Sequence, residues 1–538
     1  MSTIAQYVEK ASASQRSASA ALEGLAFDDA DIVRKLRNID SPCYIVRHGS
    51  RTGVTHIPGM APDENSGLSL LTVLPVVNPS QLGSSSFLRD HRVQYAYMAG
   101  AMAKGIASEE MIIALGKKGF LGSFGAGGLS LDRIEQAILH IQREIPGKPY
   151  AFNLLHSPKE AAKEKGTVDL YLKHGVTTVE ASSYMQMNPF IAHYRLAGLS
   201  QRPDGSICIG NRVIIKLSRV ELAAQFMQPT PATLIGQLLQ EGSISALQAR
   251  LAEHVPMADD ITVEADSGGH TDNRPLISLL PAMLKLRDTV RSERAYSSPV
   301  RIGAAGGIAT PQSVLAAYMM GADYVVTGSI NQACVESGTS TIVKALLAQV
   351  GMTDVAMAPE SDMFEQGFKV QAVKQGSMFP MRAQKLYDTY QKFESIDAIP
   401  AHLRETLERQ IFNDSLDNIW LKTAQHFATR NPSELKRAEN PKVKMALVFR
   451  WYLGQSSRWA IDGNPERRLD YQIWCGPSMG AFNLWVQDTF LQSPANRRVA
   501  DVAQLLMDEA AYLYRLQSLK MLGLYDVLLD GAGERQDA

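Results

Sequence analysis

The sequence predicts an α/β protein built on a (β/α)8 TIM barrel, and three stretches carry that prediction. Asp260-Ile261-Thr262-Val263 is an apolar run leading into Glu264-Ala265-Asp266-Ser267-Gly268-Gly269-His270. Val300-Arg301-Ile302-Gly303 leads into Ala304-Ala305-Gly306-Gly307-Ile308, and Tyr324-Val325-Val326-Thr327 into Gly328-Ser329. Successive strands that end in glycines, with helices between them, are the pattern of a parallel barrel holding one ligand across its C-terminal rim. Five earlier runs bring the strand count to eight: residues 94–98, 120–124, 150–154, 178–181 and 213–217.

The helices between them have readable starts. Ser108 is an N-cap followed by Glu109 and Glu110, whose charges suit the first turn, and Ser130 caps a helix predicted from Leu131 to about Glu144. The barrel is expected over residues 90–345. Ahead of it, 1–89 reads as a small N-terminal cap of mixed structure. There, Ala11–Ala21 is a helix or a flexible lead, 43–46 and 70–74 are strands, and Ser84-Ser85-Ser86 closes the cap. Between the fifth and sixth strands, 221–259 is longer than a crossover needs. Ala232–Gln240 and Ser245–His254 read as two amphipathic helices, either an inserted lid or an ordinary surface insertion. Residues 346–538 form a C-terminal mostly helical domain, with 359–385 as loop and helix. It holds all five tryptophans, Trp420, Trp451, Trp459, Trp474 and Trp485. Clustered aromatics are an interface or the core of a helical domain.

Bulk properties exclude several classes. With 538 residues, 45% hydrophobic and 20% charged, the chain can bury a large core. A net charge of −1 gives no basic excess for nucleic acid or an anionic membrane. Cys43, Cys208, Cys334 and Cys475 lie too far apart for a metal motif or a readable disulfide framework, which fits a reducing cytosol. The start lacks a basic segment and apolar core, and no apolar run approaches about 18 residues, so a cytoplasmic location is expected.

The rim residues suggest chemistry. Gly306-Gly307 ahead of Thr310, together with Gly328-Ser329, presents backbone N–H groups that could cradle a phosphate between the last two strands. Neither glycine cluster meets the spacing of a dinucleotide fold, and no Walker motif occurs. Lys216 ends a strand where the pattern predicts burial. It either stabilises negative charge on a bound ring or reaches solvent at the rim. Asn153 is placed to hydrogen-bond a planar ligand or to shape a turn. Glu180 and Asp266 also lie at strand ends, without evidence of acid/base pairing. His270 follows two glycines and can move a proton near neutral pH. His48, His56, His91, His174 and His193 read as surface or structural.

These residues resemble the nitronate monooxygenase superfamily of FMN-dependent (β/α)8 barrels, which includes bacterial enoyl reductases. The resemblance rests on Met98-Ala99-Gly100, Gly119 through Gly127, Asn153, Lys216, Ser267-Gly268-Gly269-His270, Ala305-Gly306-Gly307-Ile308 and Gly328-Ser329, in that order, over roughly 90–345. Ser361 through Glu365, Met378 through Ala383 and Arg458-Trp459 through Gly476-Pro477 are similar to one branch, the PfaD-type trans-acting enoyl reductases of polyunsaturated fatty acid and polyketide synthases. The resemblance implies FMN across the barrel mouth. Ala99 and Gly100 would touch the ring through backbone, and Asn153 and Lys216 would bind its polar edge. Gly268 and Gly269 would pass close by, Gly306, Gly307, Gly328 and Ser329 would hold the phosphate, and His270 would be catalytic. Ala101 stands where many relatives have a second glycine, and Asp266 where they have glutamate. By resemblance, NADPH or NADH supplies hydride, the substrate is an enoyl thioester on an acyl carrier protein, and a nitronate monooxygenase-like oxidase is the competing activity. A scaffold that has lost its chemistry is a third reading. The tryptophan-rich region is expected to dock the carrier protein or a component of the synthase, or to form a homodimer.

Overall fold

A helix and three antiparallel strands open the computed structural model, which describes residues 24–57, 67–158, 160–430 and 432–529. The strands are β1 (Cys43–His48), β2 (Arg51–Thr55) and β3 (Leu68–Leu74), ordered β2-β1-β3. The Ala11–Ala21 stretch lies outside the described residues. Helix Asp29–Arg37 is capped by the Asp28 carboxylate, which accepts from the Asp31 N–H. Its buried Ile32 and Leu36 share a core with Ala26, Ile45, Val54 and Leu74, and with Tyr512, Leu519 and Leu528 from near the other end of the chain. Arg515 runs through this core. Its guanidinium donates to the carbonyls of Leu36, Asn38, Ile39, Ser41 and Pro75. The described residues among 1–82, 311–316 and 503–538 form this compact unit. The helical region expected at 346–538 is therefore divided: from residue 503 it belongs with the N-terminal strands. A small sheet buries a face only by recruiting an apolar partner, and that partner comes from a distance that local pattern does not report.

Residues 83–310 and 317–502 form the second unit. Its barrel strands are β4 (Tyr97–Ala99), β5 (Leu121–Phe124), β6 (Ala151–Leu155) and β7 (Thr178–Ser182). After a hairpin of β8 (Leu199–Gln201) and β9 (Ile207–Ile209), β10 (Arg212–Leu217) and β11 (Asp260–Glu264) follow. The strand β12 (Gly269–His270) leaves the rim, and β13 (Arg301–Ala305) and β14 (Tyr324–Thr327) complete the ring. All eight barrel strands are parallel and closed, in the order β10-β11-β13-β14-β4-β5-β6-β7. Every residue of β13 and β14 is buried, as a strand with side chains in the barrel on one face and helices on the other requires.

The floor of the barrel is ionic. Helix Ser85–His91 places His91 Nε2 2.8 Å from Asp260 Oδ2, and Arg301 donates to both Asp260 oxygens at 2.5 and 2.9 Å. Burial pushes the Asp260 carboxyl up, but Arg301 and His91 outweigh it and hold it far below the usual range. Above this floor the Phe87 ring stacks on Tyr324 at 4.4 Å, and the Tyr324 hydroxyl lies 2.8 Å from Thr262 Oγ1. Tyr324 occupies the space beside Gly303, where an added Cβ would sit 2.3 Å from the ring.

The inserted helices Ala232–Gln240 and Ala246–Ala252 form as expected. Ile235, Leu238 and Leu251 pack with Ala192, Leu196 and Leu199 on the barrel's flank. Beyond the barrel, β15 (Val355–Pro359) and β16 (Lys369–Val373) pair antiparallel, and β12 joins the free edge of β16. This corrects the reading of 359–385 as loop and helix: the burial pattern of β16 does not alternate, and one of its two partners is a two-residue strand about a hundred residues earlier. Helices Phe379–Lys392 and Pro441–Asp462 contribute to a core against which Trp420, Trp451 and Trp459 pack. Among the described residues, no helix is long and apolar enough to cross a membrane, and no cluster of three or more His, Cys, Asp or Glu could hold a metal.

Candidate active site

Strand order and direction bring the expected residues to one rim. Ala99 and Gly100 end β4, Asn153 lies in β6, Lys216 in β10, and the 265–270 loop follows β11. Gly306-Gly307 and Gly328-Ser329 follow β13 and β14. At the mouth, Lys216 donates to Glu264 Oε1 at 3.1 Å. Burial would lower the Lys216 amine, but the charges of Glu264 and Glu180 more than offset that and raise it above its ordinary value. Glu180 is fully buried. Burial raises its carboxyl, while Lys216 and the Ala101 N–H, 2.7 Å from Oε2, pull it down. Asn153 donates to the Glu180 carbonyl and to Ser182 Oγ, both at 3.0 Å.

Two observations bear on whether the mouth fits FMN. Buried Ser123 faces Glu180 and helps pull its carboxyl down, and beyond that pairing Glu180 Oε1 and Ser123 Oγ have no hydrogen-bond partner among the described residues. Gly306 and Gly307 have φ of +85° and +77°, a region where side chains are strained. A Cβ on Gly306 would strike Ala265 C at 2.7 Å, whereas one on Gly307 or Gly328 would meet nothing within 4 Å. Backbone is thus bare toward open space after both strands, and neither turn carries a carboxylate to repel a phosphate. The residues fit the cofactor.

His270 is set apart from the barrel wall. β12 pairs with β16, His270 opposite Val370, so a second sheet holds it. Gln371 ties that sheet to the loop, its amide donating to Asp266 Oδ1 at 2.7 Å and to the Ser267 carbonyl at 2.8 Å. His270, Val370 and Ala358 share one face of the sheet by register, and Glu360 follows directly after the end of β15, its N–H donating to the Phe368 carbonyl. Glu360 accepts from Gln472 at 3.2 Å, from Ser361 Oγ at 3.0 Å and from the Asp362 N–H. Burial pushes the Glu360 carboxyl up, but the His270 charge and these bonds hold it below the usual range. Lys104 approaches the same acids. It is left-handed (φ +60°), bonds Ser457 Oγ, and lies 5.6 Å from the centre of the Trp474 ring. Desolvation lowers its amine, with Glu360 and Asp362 opposing.

Reading the sequence missed Gln371, Glu360 and Lys104 as site residues. Lys104 had one usable signal: it precedes Gly105 in a rim loop, and both residues have positive φ. Glu360 and Gln371 had none, because the strands that place them are defined by pairing across the second sheet.

Comparison with known proteins supplies the family. The family model for nitronate monooxygenase matches residues 85–392, and the chain belongs to that family, a class of oxidoreductases. Within it the chain falls in the PfaD branch: the N-terminal domain of fatty acid synthase subunit PfaD matches residues 19–79. The inserted helical domain of acyl-carrier-protein S-malonyltransferase matches 393–471. A polyunsaturated fatty acid synthase subunit of Thraustochytrium sp. is 44% identical over 90% of this chain and 32% of its own length. Polyketide biosynthesis protein PksE of Bacillus subtilis is 44% identical over 87% of this chain and 61% of its own. The chain thus spans less than two thirds of these relatives. The crystal structure of the enoyl reductase domain of MlnA, from the macrolactin cluster of Bacillus amyloliquefaciens, superposes with a TM-score of 0.78. It is 42% identical and covers 82% of this chain and 100% of that domain.

Proposed function

We propose that this chain is an FMN-dependent enoyl reductase that uses NADPH or NADH. It would act in trans on enoyl thioesters carried by acyl carrier protein, in polyunsaturated fatty acid or polyketide biosynthesis. One observation supports this over the oxidase reading. The likeness to an enoyl reductase domain covers the full length of that domain and 82% of this chain, whereas the nitronate monooxygenase match is confined to residues 85–392.

FMN, when bound, would supply the hydride chemistry that links the nicotinamide to the β-carbon of the enoyl thioester. Gly306, Gly307, Gly328 and Ser329 would hold its phosphate by backbone N–H groups. Ala99 and Gly100 would face its ring through backbone, as would Gly268 and Gly269. Asn153 and Lys216 would meet its polar edge, where the Lys216 ammonium opposes negative charge. The thioester oxygen then needs a donor and the α-carbon a proton. His270, on its own sheet and open to solvent, would supply one of them, with Glu360 beneath it fixing the imidazole. The helical region would present the surface for the carrier protein, a component of the synthase or a second copy, in the cytoplasm.

An absorbance spectrum and an anaerobic titration test the reading. A flavin spectrum bleached by NADPH and restored by an enoyl thioester is expected. Flavin that ignores both nicotinamides but is bleached by an alkyl nitronate would establish the oxidase. Colourless protein that takes up no FMN would leave only a scaffold.

A further inference from the structure

We infer that the segment Trp474–Pro477, more than 140 residues beyond the last barrel strand, is a wall of the cofactor site rather than part of an appended docking module. This rests on the FMN reading above.

Three contacts carry it. First, backbone meets backbone at Gly268: a Cβ there would lie 2.8 Å from Cys475 N and Cα, so the loop that would pass along the flavin is backed by Cys475. The approach is mutual, since a Cβ on Gly476 would lie 3.0 Å from Gly268 N and Ser267 C. Second, the Gly476 N–H donates to Ser329 Oγ at 3.0 Å, which orients one of the residues expected at the phosphate. Third, the segment is anchored independently of any ligand. The Val373 N–H donates to the Ile473 carbonyl at 2.9 Å, the Cys475 N–H to the Gln371 carbonyl at 3.3 Å, and Trp474 bridges to Ala372. Gln371 in turn holds Asp266 and Ser267. The strand β16, the 265–270 loop and the 474–477 segment thus form one interlocked layer. Nothing flexible intervenes at the glycine contacts, so displacement of Gly476 must be passed to Gly268 or to Ser329. Flavin affinity would therefore report on the helical region, and a chain ending near residue 385 would lose part of its cofactor site along with any docking surface.

The test uses the full chain stripped of flavin and titrated with FMN, read by quenching of flavin fluorescence. Wild type is compared with Gly476→Ala, Gly476→Val and Gly236→Ala, the last adding a methyl where nothing lies within 4 Å. Dissociation constants are expected to rise roughly tenfold for Gly476→Ala and roughly a hundredfold for Gly476→Val, with Gly236→Ala like wild type. Hydrogen exchange on the wild type gives an answer that needs no variant: amides of 473–480 should slow when FMN is added. If the Gly476 variants bind FMN as wild type does and exchange there is unchanged, the inference is overturned while the FMN reading stands. Wild type that takes up no FMN overturns both. Should Gly476→Val fail to fold, Gly476→Ala and the exchange data decide.

Discussion

Lys216→Met should destabilise the flavin-free protein in a way that grows with pH. Methionine nearly matches lysine in length but removes the cation that lies 3.1 Å from Glu264 and draws down fully buried Glu180. Burial already raises the Glu180 carboxyl, and without Lys216 it would rise further; buried glutamates can reach about 8–9. A carboxyl raised on folding leaves stability intact below its unfolded value of about 4.3. Stability is then lost as pH climbs toward the folded value, at about 1.4 kcal/mol per unit. In wild type Lys216 limits that rise; in the variant its pull is gone. Measured at about pH 6 and about pH 8.5, the gap should widen at the higher pH, by about 1.4 kcal/mol for each unit the folded carboxyl rises within that range. The total should approach the roughly 3–5 kcal/mol seen when one partner of a buried pair is removed. Urea unfolding followed by tryptophan fluorescence suits the measurement, because all the tryptophans belong to the same unit as the barrel. Adding Glu180→Gln to Lys216→Met should abolish the pH dependence. An equal loss at both pH values would refute the coupling.

Other perturbations separate chemistry from architecture. His270→Ala should leave FMN affinity as in wild type and slow turnover by roughly 10²–10⁴-fold, measured with NADPH and an enoyl thioester; unchanged turnover removes His270 from the mechanism. Gly303→Ala forces a methyl to within 2.3 Å of the Tyr324 ring and should cost at least about 1–3 kcal/mol in thermal melting, partly recovered by Tyr324→Leu. An unaltered melting temperature would show that the ring moves freely. Asp260→Asn leaves Arg301 and His91 short of their buried anion. The depressed Asp260 carboxyl contributes stability above its unfolded value and loses it as pH falls. The gap between wild type and variant should therefore narrow by about 1.4 kcal/mol per unit below about pH 3.9. A constant gap down to pH 2 would assign the cost to packing instead.

The barrel was legible because its strands are buried on both faces and end in glycine. Asp260–Glu264 and Tyr324–Thr327 were read to the residue for that reason, while β4 proved shorter than its apolar run. The rim residues were legible for a related reason: a parallel barrel sends every strand end to one place, so strand-end chemistry converges without long-range information. What sequence did not show was everything set by pairing outside the barrel. The β8–β9 hairpin, the two-residue β12 and the β16 strand lack a period of their own. Glu360 looked like a loop acid because the sheet that buries it is assembled from distant segments. The tryptophans divided between readings: Trp420, Trp451 and Trp459 serve the helical core, and Trp474 stands beside Lys104.

Arg515 also sets an order of events during synthesis. The carbonyls it gathers belong to residues 36–75, and the core around them closes on Tyr512, Leu519 and Leu528. None of these can act before the ribosome has passed residue 503. At about 5–20 residues per second, the first unit to be translated waits roughly 20–80 s for the side chains that complete it. During that interval β1, β2 and β3 have their apolar faces uncovered, and the barrel, whose residues lie between, can form first. The unit that holds β1, β2 and β3 is thus the later of the two to finish folding, and chaperone demand should fall on these nascent strands rather than on the larger barrel.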